Sequence, residues 1–258
     1  MSTDASPPPA VRRVPIVNGW RWIVGGWRLF LRKPLTWIVF TGVMWVIVAA
    51  SGLHWMLASL VAILLPVFLA GWARACAAAE RGESIPVTML FDGFRHRPRD
   101  LVSIGSFNAV ANVLVLLIVF AIGGDTLAKL MSDPAAASAH PEEVADALPQ
   151  IMRALLVGML FGIPVAMSVW FAPFSIALDQ RRPLAALLAS LRGMLINTLP
   201  MFVYGLVFAG AGYGLYHLFA SVMEPPQAFT LAVWMMMPVL VPSVYVSYRD
   251  IFGGETGG

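Results

Sequence analysis

The chain has 258 residues, of which 59% are hydrophobic and 12% charged, with a formal charge of +3. Soluble domains carry about a quarter charged residues, so the composition argues against a water-soluble protein and for a membrane-embedded one. The single cysteine, Cys76, excludes an intramolecular disulfide, and nineteen prolines with twenty-two glycines suit membrane helices, which tolerate both.

Residues 1–13, with a proline run from Pro7 to Pro9, predict a short disordered tail. No cleavable signal peptide is expected, because the first apolar run begins only at Leu35 and is far too long. Before it comes a helical pattern in which Trp20, Ile23, Val24, Trp27, Phe30 and Leu31 follow i, i+3, i+4, i+7 spacing. Arg21, Gly25, Arg28 and Arg32 fill the other face, as in a helix lying in the plane of a bilayer surface. Arg21, Arg28 and Arg32 are therefore candidates for binding lipid headgroups. The plainer reading is charge-biased anchoring with an aromatic belt.

Leu35 to Ala75 is apolar almost throughout. As one helix it would be about 60 Å long, against a hydrocarbon core of about 30 Å, so it must fold back, best at Ser51-Gly52-Leu53-His54. The expected spans are residues 35–50, 55–75, 101–122, 151–178, 195–220 and 229–248, within a membrane domain of residues 14–252 and before a tail of residues 253–258. Gly26-Trp27-Arg28, Gly93-Phe94-Arg95 and Ser190-Leu191-Arg192 precede the odd-numbered spans. Upstream of the last two, Pro86-Val87 with Leu90-Phe91 matches Pro183-Leu184 with Leu187-Leu188, an offset that suits a helix with proline in its first turn. Pro66, Pro173 and Pro242 each lie about two turns before a charged end, at Arg74, Arg181 and Arg249. The predicted class is all-α: a polytopic membrane bundle of about six helices, arranged as three hairpins with amphipathic inner-face helices.

Fifteen of the seventeen Lys and Arg residues fall on one side of these spans, only Lys129 and Arg153 on the other. That bias places both termini in the cytoplasm. The middle of all six spans lacks Asp, Glu, Lys and Arg, which argues against a proton-coupled pump. Asn108 and Asn112, at i, i+4 in the third span, and Asn197 near the inner end of the fifth are the polar intramembrane candidates. They line a substrate path or join helices through hydrogen bonds worth about 0.6 kcal/mol each. Gly158 with Gly162 and Gly210 with Gly214 form small-residue faces for close helix contact, within the bundle or in a homo-oligomer. Pro164, Pro173, Pro238 and Pro242 should kink their helices. His140, Glu142, Glu143 and Asp146 in the outer loop read as a solvated helix after Pro141 rather than a metal site. No nucleotide loop, zinc signature or nucleophile elbow is present. No catalytic, cofactor or metal residues are expected, and no nucleic-acid partner, because the basic residues hug the membrane face.

The run Gly19-Trp20-Arg21-Trp22 with Gly26-Trp27-Arg28-Leu29-Phe30-Leu31-Arg32-Lys33-Pro34-Leu35 is similar to the opening of an uncharacterised family of proteobacterial inner-membrane proteins. Leu90-Phe91-Asp92-Gly93-Phe94 fits the same pattern. More distantly, the three-hairpin layout resembles the membrane domain attached to some bacterial glycerophosphodiester phosphodiesterases. The resemblance implies a six-span fold in a bacterial plasma membrane and carries no catalytic residues over, since that activity belongs to a soluble domain. Two functions stay open: a non-enzymatic protein acting through contacts with membrane lipids or proteins, and a transporter or channel for a neutral or lipid-like solute. A lipid-modifying enzyme ranks below both, for want of a paired acid and base.

Overall fold

Proline and glycine set where this chain stops one helix and starts the next. The computed structural model describes residues 11–132 and 141–253, and every regular element among them is helical. α1 (Asn18–Arg32) is followed by α2 (Pro34–Ser51) and α3 (Trp55–Glu80). A 3₁₀ turn (Val87–Phe91) and α4 (Asp92–Arg95) lead into α5 (Pro98–Ser132) and α6 (Pro141–Trp170). α7 (Ala172–Asp179), α8 (Pro183–Ile196), α9 (Thr198–Ala220) and α10 (Pro225–Phe252) complete the order. Three pairs of long helices, α2 with α3, α5 with α6 and α9 with α10, are each preceded by shorter elements. Residues 1–10, 133–140 (His140 among them) and 254–258 lie outside the described residues, whereas residues 11–13, expected in the N-terminal tail, are described, and the Arg12 N–H donates to the Ile251 carbonyl at 2.9 Å.

Among the described residues, six helical stretches are long and apolar enough to cross a bilayer: Pro34–Ser51, Trp55–Glu80, Pro98–Asp125, Ala145–Asp179, Thr198–Ala220 and Pro225–Phe252. The protein is an all-α polytopic membrane bundle. Lys33 leaves the helical region at φ −147° because Pro34 crowds the residue before it, and Pro34 then opens α2. At the tip of the first hairpin, His54 is extended and its Nδ1 accepts the Met56 N–H at 3.2 Å, capping α3. The fourth apolar stretch divides at Phe171 into α6 and α7, where Pro173 lacks the N–H a continuous helix would use. The Phe171 N–H is satisfied instead by Ser190 Oγ of α8 at 2.9 Å. The fifth begins at Thr198 rather than at the expected residue 195, because Asn197 leaves the helical region at φ −111° and separates α8 from α9. The second of the short segments expected before the odd-numbered spans is a 3₁₀ turn and one α-turn rather than a full helix, hemmed in by Pro86 and Pro98.

Two compact units result, residues Met1–Gly105 with Ser168–Gly258, and residues Ser106–Met167. The smaller is an antiparallel pair from α5 and α6 with a core of Val119, Leu127, Ile151 and Ala154. Gly124 breaks α5 there at φ 67°, a left-handed conformation open to glycine. Gln150 Nε2 donates to the Ile122 carbonyl beside that break at 2.8 Å.

The larger unit holds an aromatic core. Trp37 and Trp72 stack with centroids 6.5 Å apart, Phe40 meets both rings edge-on, and Trp37 Nε1 donates to the Leu29 carbonyl at 3.2 Å. A second cluster joins Val67 and Ala70 of α3 to Leu101 and Ile104 of α5 and to Ala172 and Ile176 of α7. Glycines on both sides let the turn of residues 87–95 sit close against α3: a Cβ on Gly71 of α3 would overlap the Leu90 carbonyl, and one on Gly93 of α4 the Val67 carbonyl. Gly71→Ala and Gly93→Ala should each cost about 1–3 kcal/mol through overpacking. Gly205→Ala, with open space around it, should stay within about 0.5 kcal/mol of the parent. Thermal unfolding of the detergent-solubilised variants measures this, and equal midpoints for all three would overturn it.

Candidate functional site at the charged end of the bundle

α1 presents three faces. Gly19, Trp22, Gly26 and Leu29 recur at helical spacing and are buried, Trp22 being 1% exposed. Trp20, Trp27 and Leu31, at 52%, 49% and 56% exposure, form a second face left outside the unit. Arg21, Arg28 and Arg32 form the third. The single apolar face read from the sequence is therefore divided: Ile23 and Phe30 pack partly into the core, while Trp20, Trp27 and Leu31 do not. Trp22, absent from that reading, is the deepest residue of the helix. Its signal was the equally regular spacing of Gly19, Trp22, Gly26 and Leu29.

The buried face lies across α9 and α10. A Cβ on Gly19 would overlap the Pro200 carbonyl, and one on Gly26 would collide with Ser243. Trp22 packs edge-on against Tyr204 at 6.0 Å and donates from Nε1 to Asp250 Oδ2 at 2.7 Å. Asn18 Nδ2 donates to the same oxygen at 2.8 Å. The last two turns of α10 carry further ties. Tyr245 donates to Glu80 Oε2 at 2.8 Å, and Arg249 pairs with the same carboxylate. Tyr248 donates to Asp179 Oδ2 at 2.5 Å, with Arg181 facing that oxygen at 3.5 Å. The ends of α1, α3, α7 and α10 thus meet in one polar girdle.

The three α1 arginines have different surroundings. Arg32 Nη1 donates to the carbonyls of Ala79 and Glu80 at 3.2 and 3.1 Å, capping the C-terminus of α3. Arg21 touches only Asn18 Oδ1, at 3.3 Å, and Arg28 makes no hydrogen bond or ion pair among the described residues. Arg21 and Arg28 stand beside the exposed Trp20, Trp27 and Leu31. That pairing of free cations with bare apolar rings is the candidate site.

Asn197 is fully buried and its amide is taken: Oδ1 accepts from Val14 N–H at 2.9 Å, and Nδ2 donates to the carbonyls of Arg12 and Gly193 at 2.9 and 3.0 Å. It fastens the segment before α1 to the α8–α9 junction. In the smaller unit, Asn112 Nδ2 donates to Asn108 O and Oδ1 at 2.8 and 2.9 Å, so its amide is turned back onto the preceding turn of α5. Gly158 is covered by Val119 and Gly162 touches Val115, whereas Gly210 and Gly214 have nothing within 4 Å. A separate apolar cavity of about 460 Å³ lies between α9 and α10, bordered by Phe208, Gly212, Tyr216, Phe229, Met236 and Leu240. Among the described residues no three or more His, Cys, Asp or Glu side chains are grouped to hold a metal.

Residues 29–252 match the family model described as a domain of unknown function, DUF7847. A protein of Burkholderia thailandensis described as a probable inner membrane protein is 29% identical over 253 residues, covering 93% of each chain. No solved structure matches the chain. With six membrane-length apolar helices, these relations make it a multi-pass inner-membrane protein, in keeping with the resemblance carried by residues 19–35. The chain belongs to the DUF7847 family, whose function is unknown.

Proposed function

We propose that the protein is a non-enzymatic component of the inner membrane that acts through contacts with anionic lipid at its charged end, the end on which both chain termini face the cytoplasm. One observation carries the reading: on α1 the unburied Trp20, Trp27 and Leu31 adjoin Arg21 and Arg28, which the fold leaves almost unpartnered. A helix with that pairing seats its rings at the acyl boundary and its cations among the headgroups. Each arginine near an anionic leaflet contributes on the order of 1 kcal/mol. Arg32 contributes less, since its guanidinium caps α3. The distant likeness of the layout to the membrane domain of glycerophosphodiester phosphodiesterases belongs to the same proposal. So does self-association, for which Gly210 and Gly214 remain uncovered.

A second reading, transport of a neutral or lipid-like solute, is favoured by the apolar cavity between α9 and α10, the latter a helix that carries Pro238 and Pro242 in its interior. Uncharged span middles limit such a solute to one without net charge.

Brominated lipids quench tryptophan on contact and so measure the lipid preference. Brominated phosphatidylglycerol should quench the reconstituted protein at lower mole fraction than brominated phosphatidylcholine. Arg21→Gln with Arg28→Gln should erase that preference, by about fivefold per arginine; equal preference in parent and double variant would sink the lipid reading. Fluorescent phospholipid crossing reconstituted liposomes faster than in protein-free ones would favour the transport reading, and an unchanged rate would remove it. Reporters fused after His54 and after Gly258 should read outside and inside respectively; the reverse would overturn the orientation.

A further inference from the structure

A second basic feature lies in the larger unit, away from the α1 face. Between α3, the α4 turn and α7 is a cavity of about 300 Å³. Its floor is Ala70 and Ala177 with Ile176, and its wall is Arg74, Arg95, His96 and Arg97. Two non-glycine residues with left-handed backbones, Arg97 at φ 57° and Gln180 at φ 55°, border it from opposite sides. Such conformations cost of order 1–3 kcal/mol and concentrate at functional sites. Gly93, pressed against the Val67 carbonyl, holds the turn close enough to α3 to form the cavity.

The cations there do not all have the same work. Arg97 is committed: Nε donates to Asp100 at 2.6 Å, and Nη1 donates to the carbonyls of Gln180 and Arg181, neutralising the negative end of α7. Arg74 faces Asp92 only loosely, at 3.8 Å. Arg95 makes no hydrogen bond or ion pair among the described residues, and His96 uses only Nδ1, toward the Asp92 carbonyl at 3.1 Å. Two guanidinium groups, one without a hydrogen bond or ion pair among the described residues and one only loosely paired, therefore border the same small space. Guanidinium forks match phosphate oxygens in geometry and charge. Alongside, Val87, Phe91 and Phe94 are exposed at 43%, 40% and 40%, an apolar surface next to the cationic wall.

We propose that this cavity binds a phosphate group, carried by a lipid headgroup or free in solution, with Arg74 and Arg95 as its ionic partners. The site is independent of the α1 face, so the test keeps Arg21 and Arg28 intact. The full chain in an uncharged detergent is titrated calorimetrically with dihexanoyl phosphatidic acid, inorganic phosphate and dihexanoyl phosphatidylcholine. Saturable binding of phosphatidic acid or phosphate is expected. Arg95→Gln should weaken it at least about tenfold, as loss of a charged hydrogen bond does, and Arg74→Gln likewise. Arg95 is exposed, so its variant tests the site without disturbing the core. Arg99→Gln, an exposed neighbour outside the lining, should bind as the parent does. Binding of phosphatidic acid alone identifies a lipid source, and equal binding of inorganic phosphate identifies the free anion. The proposal is overturned if neither binds the parent protein. Equal weakening by Arg99→Gln, or binding untouched by Arg95→Gln and Arg74→Gln, overturns it as well.

Discussion

α1 can lie across α9 and α10 only because Gly19 and Gly26 have no side chains to keep it away. Everything at the charged end depends on that approach. It lets Trp22 reach Asp250, brings the segment of residues 11–14 under Asn197, and sets Arg32 against the end of α3. It also decides, by elimination, that Trp20, Trp27 and Leu31 look outward with Arg21 and Arg28 beside them. In lipid the hydrophobic effect gives helices little reason to associate, so backbone proximity and polar ties must supply it.

The polar ties are concentrated in Tyr245, Tyr248, Arg249 and Asp250. One and a half turns of α10 engage Glu80 of α3, Asp179 of α7 and Trp22 of α1. Half-exposed ion pairs such as Glu80 with Arg249 contribute at most about 1 kcal/mol. The tyrosine and tryptophan donors matter for a different reason: each gives a carboxylate at the edge of an apolar core an oriented partner, and a buried donor left without one costs about 1–3 kcal/mol. The ionisable groups stand at the helix ends, where water can screen what the protein does not pair.

Much of this was legible in the residues. The apolar runs outlast the bilayer thickness, so their number, and the turn near Gly52, follow from length alone. Pro183 marks a helix start, as its offset suggested, because proline's missing N–H is harmless there, and Pro173, read as a kink, falls in the first turn of α7 where the fourth stretch divides. The inward face of α1 was not legible. Two of its arcs repeat at helical spacing, and lipid accepts Trp20 and Trp27 as readily as a protein core accepts Trp22. Asn197 could not be read either, because its partners Arg12 and Val14 lie some 180 residues upstream. The basic cavity was hidden for a related reason. Its wall depends on the left-handed turn at Arg97, and spacing rules carry no signal for a strained arginine.

The bond between Trp22 and Asp250 joins the first helix of the chain to the last. Synthesis delivers residues in order, at about 5–20 per second, so some 230 residues separate the two partners in time by about ten to forty seconds. Through that interval α1 has emerged, but the groove it needs does not exist, and its tryptophans and glycines must be held by lipid or by the insertion machinery. The fold therefore closes as a clasp, fastened by turns of α10 that leave the ribosome after every helix they engage, and a truncation just short of Tyr245 would leave every earlier helix inserted and the bundle open.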